Sequence, residues 1–231
     1  MTVLSVRELS ITRGHDAQSF RISLPELTLG KGDIVAVTGP SGCGKSTLIE
    51  TLGLILAPTH VGSFALHGKD ITSLVRNENK DHELAGLRSQ FYGFVPQTHG
   101  LLPYLTVQQN LALQARITGK AINTDWLDQA SRQLGINDLC DRLPKQLSIG
   151  QRQRVSFLRA LSHQPSLLLA DEPTAALDPA HARGLFELML DQIRDLGTTM
   201  IVVTHEWDLV RTLGLQQLVG ESVAANEVEF V

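Results

Sequence analysis

Ile34-Val35-Ala36-Val37-Thr38-Gly39-Pro40-Ser41-Gly42-Cys43-Gly44-Lys45-Ser46-Thr47 is the stretch on which the reading of this chain turns. Ile34–Thr38 is a short run with apolar residues on both faces, as a strand buried in a parallel sheet requires. It runs into Gly39–Ser46, which satisfies G-x-x-x-x-G-K-[ST] at every constrained position, between a predicted strand and a predicted helix. Backbone N–H groups converging on a phosphate need glycines, because side chains would block the approach. Lys45 supplies a cation for the β- and γ-phosphates, Ser46 a hydroxyl for Mg²⁺, and Thr47 a hydroxyl for the α-phosphate. A plain strand-to-helix turn would require neither Lys-Ser nor this spacing. Cys43, between two glycines, reads as a filler of a small-residue slot rather than a nucleophile.

Working outward, Leu4, Val6, Leu9 and Ile11, then Phe20, Ile22 and Leu24, and later Phe64 and Leu66, follow near period-two patterns bounded by turn residues. They predict an antiparallel sheet near the N-terminus. From about Phe91 to Leu161 the texture becomes helical. Thr106 with Gln109 fits a capping box, and Trp126–Leu134 stops at Gly135. Leu167–Ala170 and Met200–Thr204 are further buried strands, separated by a helical pattern over about 180–196, so the sheet should be parallel there with right-handed crossovers. Gly220–Val231 reads as a frayed tail or an edge strand.

The apolar strand Leu167–Ala170 ends on Asp171-Glu172. Two carboxylates at that point divide naturally into a metal-shell ligand, Asp171, and a group that polarises the attacking water, Glu172. An isolated acidic pair would only open a loop. The upstream phosphate loop changes that reading.

Composition sets the outer limits. The chain has 231 residues, 42% of them apolar, enough for one large core or a core with a satellite subdomain. A net charge of −4 gives no broad basic field, so nucleic acid is not an expected partner. Two cysteines, Cys43 and Cys140, are too few for a disulfide framework. The N-terminus lacks the pattern of a secretory leader, and no run approaches the ~20 apolar residues that span a bilayer. Any membrane association should therefore come through a partner.

Leu147-Ser148-Ile149-Gly150-Gln151, ahead of an amphipathic helix carrying Val155, Leu158 and Leu161, resembles the LSGGQ signature of the ABC ATPases. As physics it is a serine-capped helix start that presents N–H groups and a hydroxyl to an anion. The resemblance covers about residues 2 to 220. It implies an α/β fold: a P-loop NTPase core with a mixed, partly parallel sheet, an N-terminal antiparallel β subdomain, and an inserted helical subdomain that carries the signature. As a single ABC ATPase domain over 1–231, the core would take 1–90 and 162–231 and the helical insertion about 91–161. In the family, the anion facing Ser148, Gly150 and Gln151 is the γ-phosphate held by a second copy, so a head-to-tail ATP-sandwich dimer follows. Gln97 resembles the Q-loop glutamine that links the metal and γ-phosphate to the helical subdomain. Asp178, in Ala176-Leu177-Asp178, resembles the D-loop, and His205 the switch histidine at the γ-phosphate. The implied catalytic group is Glu172, Gln97 and His205, with Ser46, Gln97 and Asp171 around Mg²⁺.

The sequence departs from the family in two places. Ile149 replaces one glycine of the signature's pair. Where the family places an aromatic residue against adenine, Ile11–His15 has none, leaving Arg13, His15 or Phe20 to stack. Within the family, Phe91–Gln97 followed by Leu101–Thr106 is similar to the lipoprotein-releasing and macrolide-exporter ATPases. That likeness implies an integral membrane permease as partner and a peripheral position on the cytoplasmic face of the membrane. The apolar segment after Gln97 would then form part of a groove for a permease helix, or else pack inside the helical subdomain. The expected activity is ATP hydrolysis driving export or extraction. The alternative is a dimer that drives a membrane regulator of cell-wall enzymes without moving solute. Chromosome and DNA-repair ATPases share the signature but need a long coiled coil, for which the chain has no room.

Overall fold

The computed structural model describes residues 1–14 and 19–231. In chain order the elements are β1 (Thr2–Arg13), β2 (Phe20–Gly30), β3 (Ile34–Thr38), α1 (Lys45–Leu52), β4 (Ser63–Leu66), β5 (Lys69–Asp70), α2 (Thr72–Val75), α3 (Asp81–Phe91) and β6 (Tyr92–Val95). There follow α4 (Val107–Thr118), α5 (Thr124–Gln133), α6 (Ile149–Leu161), β7 (Leu167–Asp171), α7 (Pro179–Leu196), β8 (Thr199–Val203), α8 (Trp207–Thr212), β9 (Gln216–Ala224) and β10 (Glu227–Phe230). The chain forms two compact units, residues 1–88 with 201–231, and residues 89–200.

In the first unit the strands lie in the order β5-β4-β1-β2-β10-β9-β3. The antiparallel part is the one the alternating N-terminal residues predict: β1 pairs with β2 (Ile11 opposite Ile22) and with β4 (Val6 opposite Phe64). The buried series Leu4 and Val6 resumes one residue out of phase as Leu9 and Ile11. The slip falls beside Glu8, whose φ of 52° lies in the left-handed region. β3 pairs in parallel with β9, Val37 opposite Leu218.

The last residues depart from expectation. They are neither a tail nor an edge. β10 pairs in parallel with β2 (Val228 opposite Ile22) and antiparallel with β9, so it fills an interior place. Val228 and Phe230 are buried there. A four-residue strand carries too little pattern to distinguish interior from edge by sequence.

In the second unit, Tyr92–Val95 is a strand, not the start of the helical texture expected from Phe91 onward. It pairs in parallel with β7, Phe94 opposite Leu169. The two capping signals hold: Thr106 Oγ1 accepts from the Gln109 N–H, completing a capping box on α4, and Gly135 follows α5 with φ 63°. Val155, Leu158 and Leu161 of α6 are all fully buried, together with Phe157. This compact unit keeps β7 and α7 with the helices of 91–161.

Candidate nucleotide-binding site

Buried β3 delivers the phosphate loop. Lys45 is only 6% exposed, and its ammonium donates to the carbonyls of Gly39 (3.0 Å) and Pro40 (2.8 Å), with the Cys43 sulfur at 3.9 Å. A buried ammonium needs such partners, because desolvating an unpaired charge is costly. α1 starts on Gly44 at φ 94° with no side-chain cap, so the N–H groups of its first turn face the loop without one. Ser46 is exposed and Thr47 half-buried. Gly39, Pro40, Ser41, Gly42, Cys43, Gly44, Lys45, Ser46 and Thr47 thus form one continuous loop and helix start. Ile22 and Phe20 back the loop: a Cβ on Gly44 would meet Ile22 Cδ1 at a forbidden separation and stand 3.6 Å from the Phe20 ring. Of the three candidates for base stacking, Phe20 lies against the loop, Arg13 is its cross-strand partner, and His15 lies outside the described residues.

In the second unit, β7 carries Asp171, 8% exposed, to the strand end, and Glu172 follows at φ 47°. For a non-glycine residue that conformation is uncommon, and it sets the carboxylate on a sharp turn out of the sheet. The Gln97 amide donates to Glu172 Oε2 at 3.1 Å, so two residues 75 positions apart meet. Ser148 caps α6: its hydroxyl accepts from the Gln151 N–H (3.2 Å), while Gln151 Oε1 accepts from the Ser148 N–H (2.9 Å). Asp178 caps α7 and is held by His181, whose Nδ1 lies 2.7 Å from Asp178 Oδ2. The hydrogen bond from His181 keeps the Asp178 carboxyl below the usual carboxylate range. Ser148, Gly150, Gln151 and Asp178 share a cleft of about 340 Å³ with Arg154 and His181. His205 belongs to the first unit, exposed just beyond β8, its carbonyl accepting from the Trp207 N–H at 3.0 Å.

One contributor carries no sequence signal. Asn110 is fully buried in α4 and takes in the segment after Gln97: its amide donates to the carbonyls of Leu102, Leu105 and Thr106, and its Oδ1 accepts from the Leu102 N–H. Leu101, Leu102 and Leu105 are half-buried as a result, whereas Tyr104 is 71% exposed. One polar residue in an amphipathic helix does not announce that it will be saturated by a loop.

The expected metal donors, Ser46, Gln97 and Asp171, all offer oxygen, the donor set of a hard cation such as Mg²⁺. Among the described residues no cluster of His, Cys, Asp and Glu suggests a softer metal.

A glycine-rich loop wrapped round a buried lysine, an acidic strand end, and a parallel strand pair define the class: an α/β nucleoside-triphosphate hydrolase. The sequence profile described as ABC transporter matches residues 23–175. The lipoprotein-releasing system ATP-binding protein LolD of Aquifex aeolicus is 38% identical over 203 residues, covering 84% of this chain and 88% of that protein. A probable syringafactin export ATP-binding/permease protein of Pseudomonas syringae is 39% identical over 182 residues, 78% of this chain but 27% of that longer protein. The ATP-binding cassette MJ0796, solved as a post-hydrolysis dimer bound to ADP and Pi, superposes with a TM-score of 0.77 at 27% identity, over 98% of this chain and 96% of that one. The chain therefore belongs to the ABC transporter family, as its ATP-hydrolysing nucleotide-binding subunit.

Proposed function

We propose that the chain powers export or extraction of a substrate through a separate integral membrane permease, on whose cytoplasmic face it sits as a head-to-tail dimer. The observation that carries this reading is the pair of ligand-directed helix starts, Gly44 on α1 and Ser148 on α6. Gly39–Thr47 holds the phosphates of ATP, with Lys45 leaving the loop carbonyls for the β- and γ-oxygens. Ser148 and Gly150, with Asp178 nearby, receive the γ-phosphate of the opposite copy. Ser46, Asp171 and Gln97 would hold Mg²⁺, which when bound would neutralise charge developing on the phosphates. Glu172 accepts a proton from the attacking water and His205 contacts the γ-phosphate. The dimeric MJ0796 cassette and the permease joined to the syringafactin relative support the two partners. The helical insertion over about 91–161 carries the permease-facing surface, with Tyr104 an exposed apolar member of it. Among the described residues no helix is long and apolar enough to cross a membrane.

The test is Glu172→Gln. Turnover should fall by at least ~100-fold, as for loss of a general base, while MgATP binding persists and the variant accumulates as an ATP-bound dimer. Loss of ATP binding in this variant, or hydrolysis at the wild-type rate, overturns the assignment.

A further inference from the structure

The turn after Gln97 is fastened to the signature helix at two successive carbonyls. Ser156, fully buried in the middle of α6, donates its hydroxyl to the His99 carbonyl at 2.5 Å. One helical turn further on, Arg159 donates Nη1 to the Gly100 carbonyl at 2.6 Å. Residues three apart on a helix share a face, so the two donors address adjacent peptide units as one fixture. The second bond is charge-assisted and short, the strong kind.

The loop has been shaped to accept them. His99 and Gly100 both adopt left-handed conformations, φ 69° and 60°, after a turn closed by the His99 N–H on the Pro96 carbonyl (3.0 Å). For His99 that backbone costs energy, and it persists only where surrounding contacts hold it. At Gly100 a Cβ would stand 2.8 Å from Pro96 Cγ and 3.3 Å from Arg159 Nη2, so glycine is required for the approach. The upstream end of the same turn is Gln97, which donates to Glu172. Glu172, Gln97, the 96–100 turn and α6 thus form one continuous hydrogen-bonded series that ends at the Ser148 cap.

We propose that Ser156 and Arg159 are positioning residues that clamp the 96–100 turn onto the signature helix and so set Gln97 against Glu172. They touch no substrate. Released from the clamp, the turn relaxes from its left-handed conformation and Gln97 loses its fixed distance to the carboxylate. The signature helix then also loses its register with the hydrolytic carboxylate.

This inference rests on the roles proposed for Gln97 and Glu172, and the experiment separates the two. ATP turnover, KM and thermal midpoint are measured on the purified full chain for Arg159→Ala, Ser156→Ala, Gln97→Ala and the Arg159→Ala/Gln97→Ala double variant. Misplacement of a catalytic group predicts that each clamp variant lowers kcat by about 10- to 100-fold, with KM for ATP nearly unchanged. The double variant should be no slower than the slower single, because Arg159 acts through Gln97. Arg159→Lys and Ser156→Thr, which keep a donor, should recover most of the rate. Multiplying losses in the double variant, or kcat falling only as the folded fraction falls, overturns the clamp. Ser156→Ala removes a single oxygen and serves if Arg159→Ala does not fold. Wild-type turnover in Glu172→Gln would sink the underlying reading, whereas an inactive Glu172→Gln beside fully active clamp variants would sink the clamp alone.

Discussion

α1 and α6 each begin at a residue proposed to face phosphate, yet they solve the same electrostatic problem in opposite ways. α1 starts on bare Gly44, with no side chain on its N–H groups, while the neighbouring cation Lys45 is occupied by the loop's own carbonyls. α6 starts closed, its cap residue and Gln151 bonding each other reciprocally. A ligand therefore completes the first helix start but meets a second that is already satisfied. In the proposed site the first start holds the nucleotide, and the second offers what its capping box leaves over, the hydroxyl proton of Ser148 and the N–H groups of the first turn.

Breaking the open start has the largest effect. Gly44→Ala puts a side chain into Ile22 and imposes a left-handed φ on alanine. Strain of that size should raise the Kd for ATP about tenfold or more, read by nucleotide titration; an unchanged Kd would show that the loop tolerates a side chain and that its openness is incidental.

The closed start separates into two smaller effects. Ser148→Ala removes both the cap and the hydroxyl, so it should cost about 1 kcal/mol of stability and also slow turnover. Gln151→Ala opens the box from the other side and should cost less stability, a few tenths of a kcal/mol, and slow turnover less than Ser148→Ala does. Equal loss of turnover in both, measured beside urea midpoints, would erase the contrast.

The smallest effect lies just beyond the other end of α6. His163 is buried, its Nε2 3.0 Å from the Tyr92 carbonyl, and burial holds its pKa down at about 4 against an ordinary 6.5. The unfolded chain therefore binds the proton first. Stability from neutral His163 is complete above pH 6.5 and is lost as pH falls towards 4. Thermal midpoints should decline over that window in the wild type and decline less in His163→Gln. Parallel profiles would remove His163 as the cause.

What could be read beforehand follows from the range over which each signal acts. Ile34–Thr47 and Leu167–Glu172 were legible because a strand, a loop and their chemistry lie in one short stretch. Thr106 and Gln109 were legible because a capping box is local. The 75-residue reach from Gln97 to Glu172 was accessible only as a family resemblance. Asn110, Ser156 and Arg159 were missed altogether: each is an ordinary helix residue whose partners are backbone carbonyls, and carbonyls have no side-chain identity to read. The interior place of β10 was missed because its neighbours β2 and β9 come from opposite ends of the chain.

That last strand also bears on the order in which the protein can be made. Gly220 lies where a Cβ would stand 2.9 Å from the Phe230 ring and 3.2 Å from the Cys43 sulfur, and the amide and carbonyl of Val231 pair with Val219. The backing of the phosphate loop thus includes residues translated almost two hundred codons after it. A nascent chain still holding residue 230 in the ribosomal tunnel has a phosphate loop without its rear wall. Nucleotide capture should consequently wait for the translation of β10 rather than follow that of the phosphate loop itself.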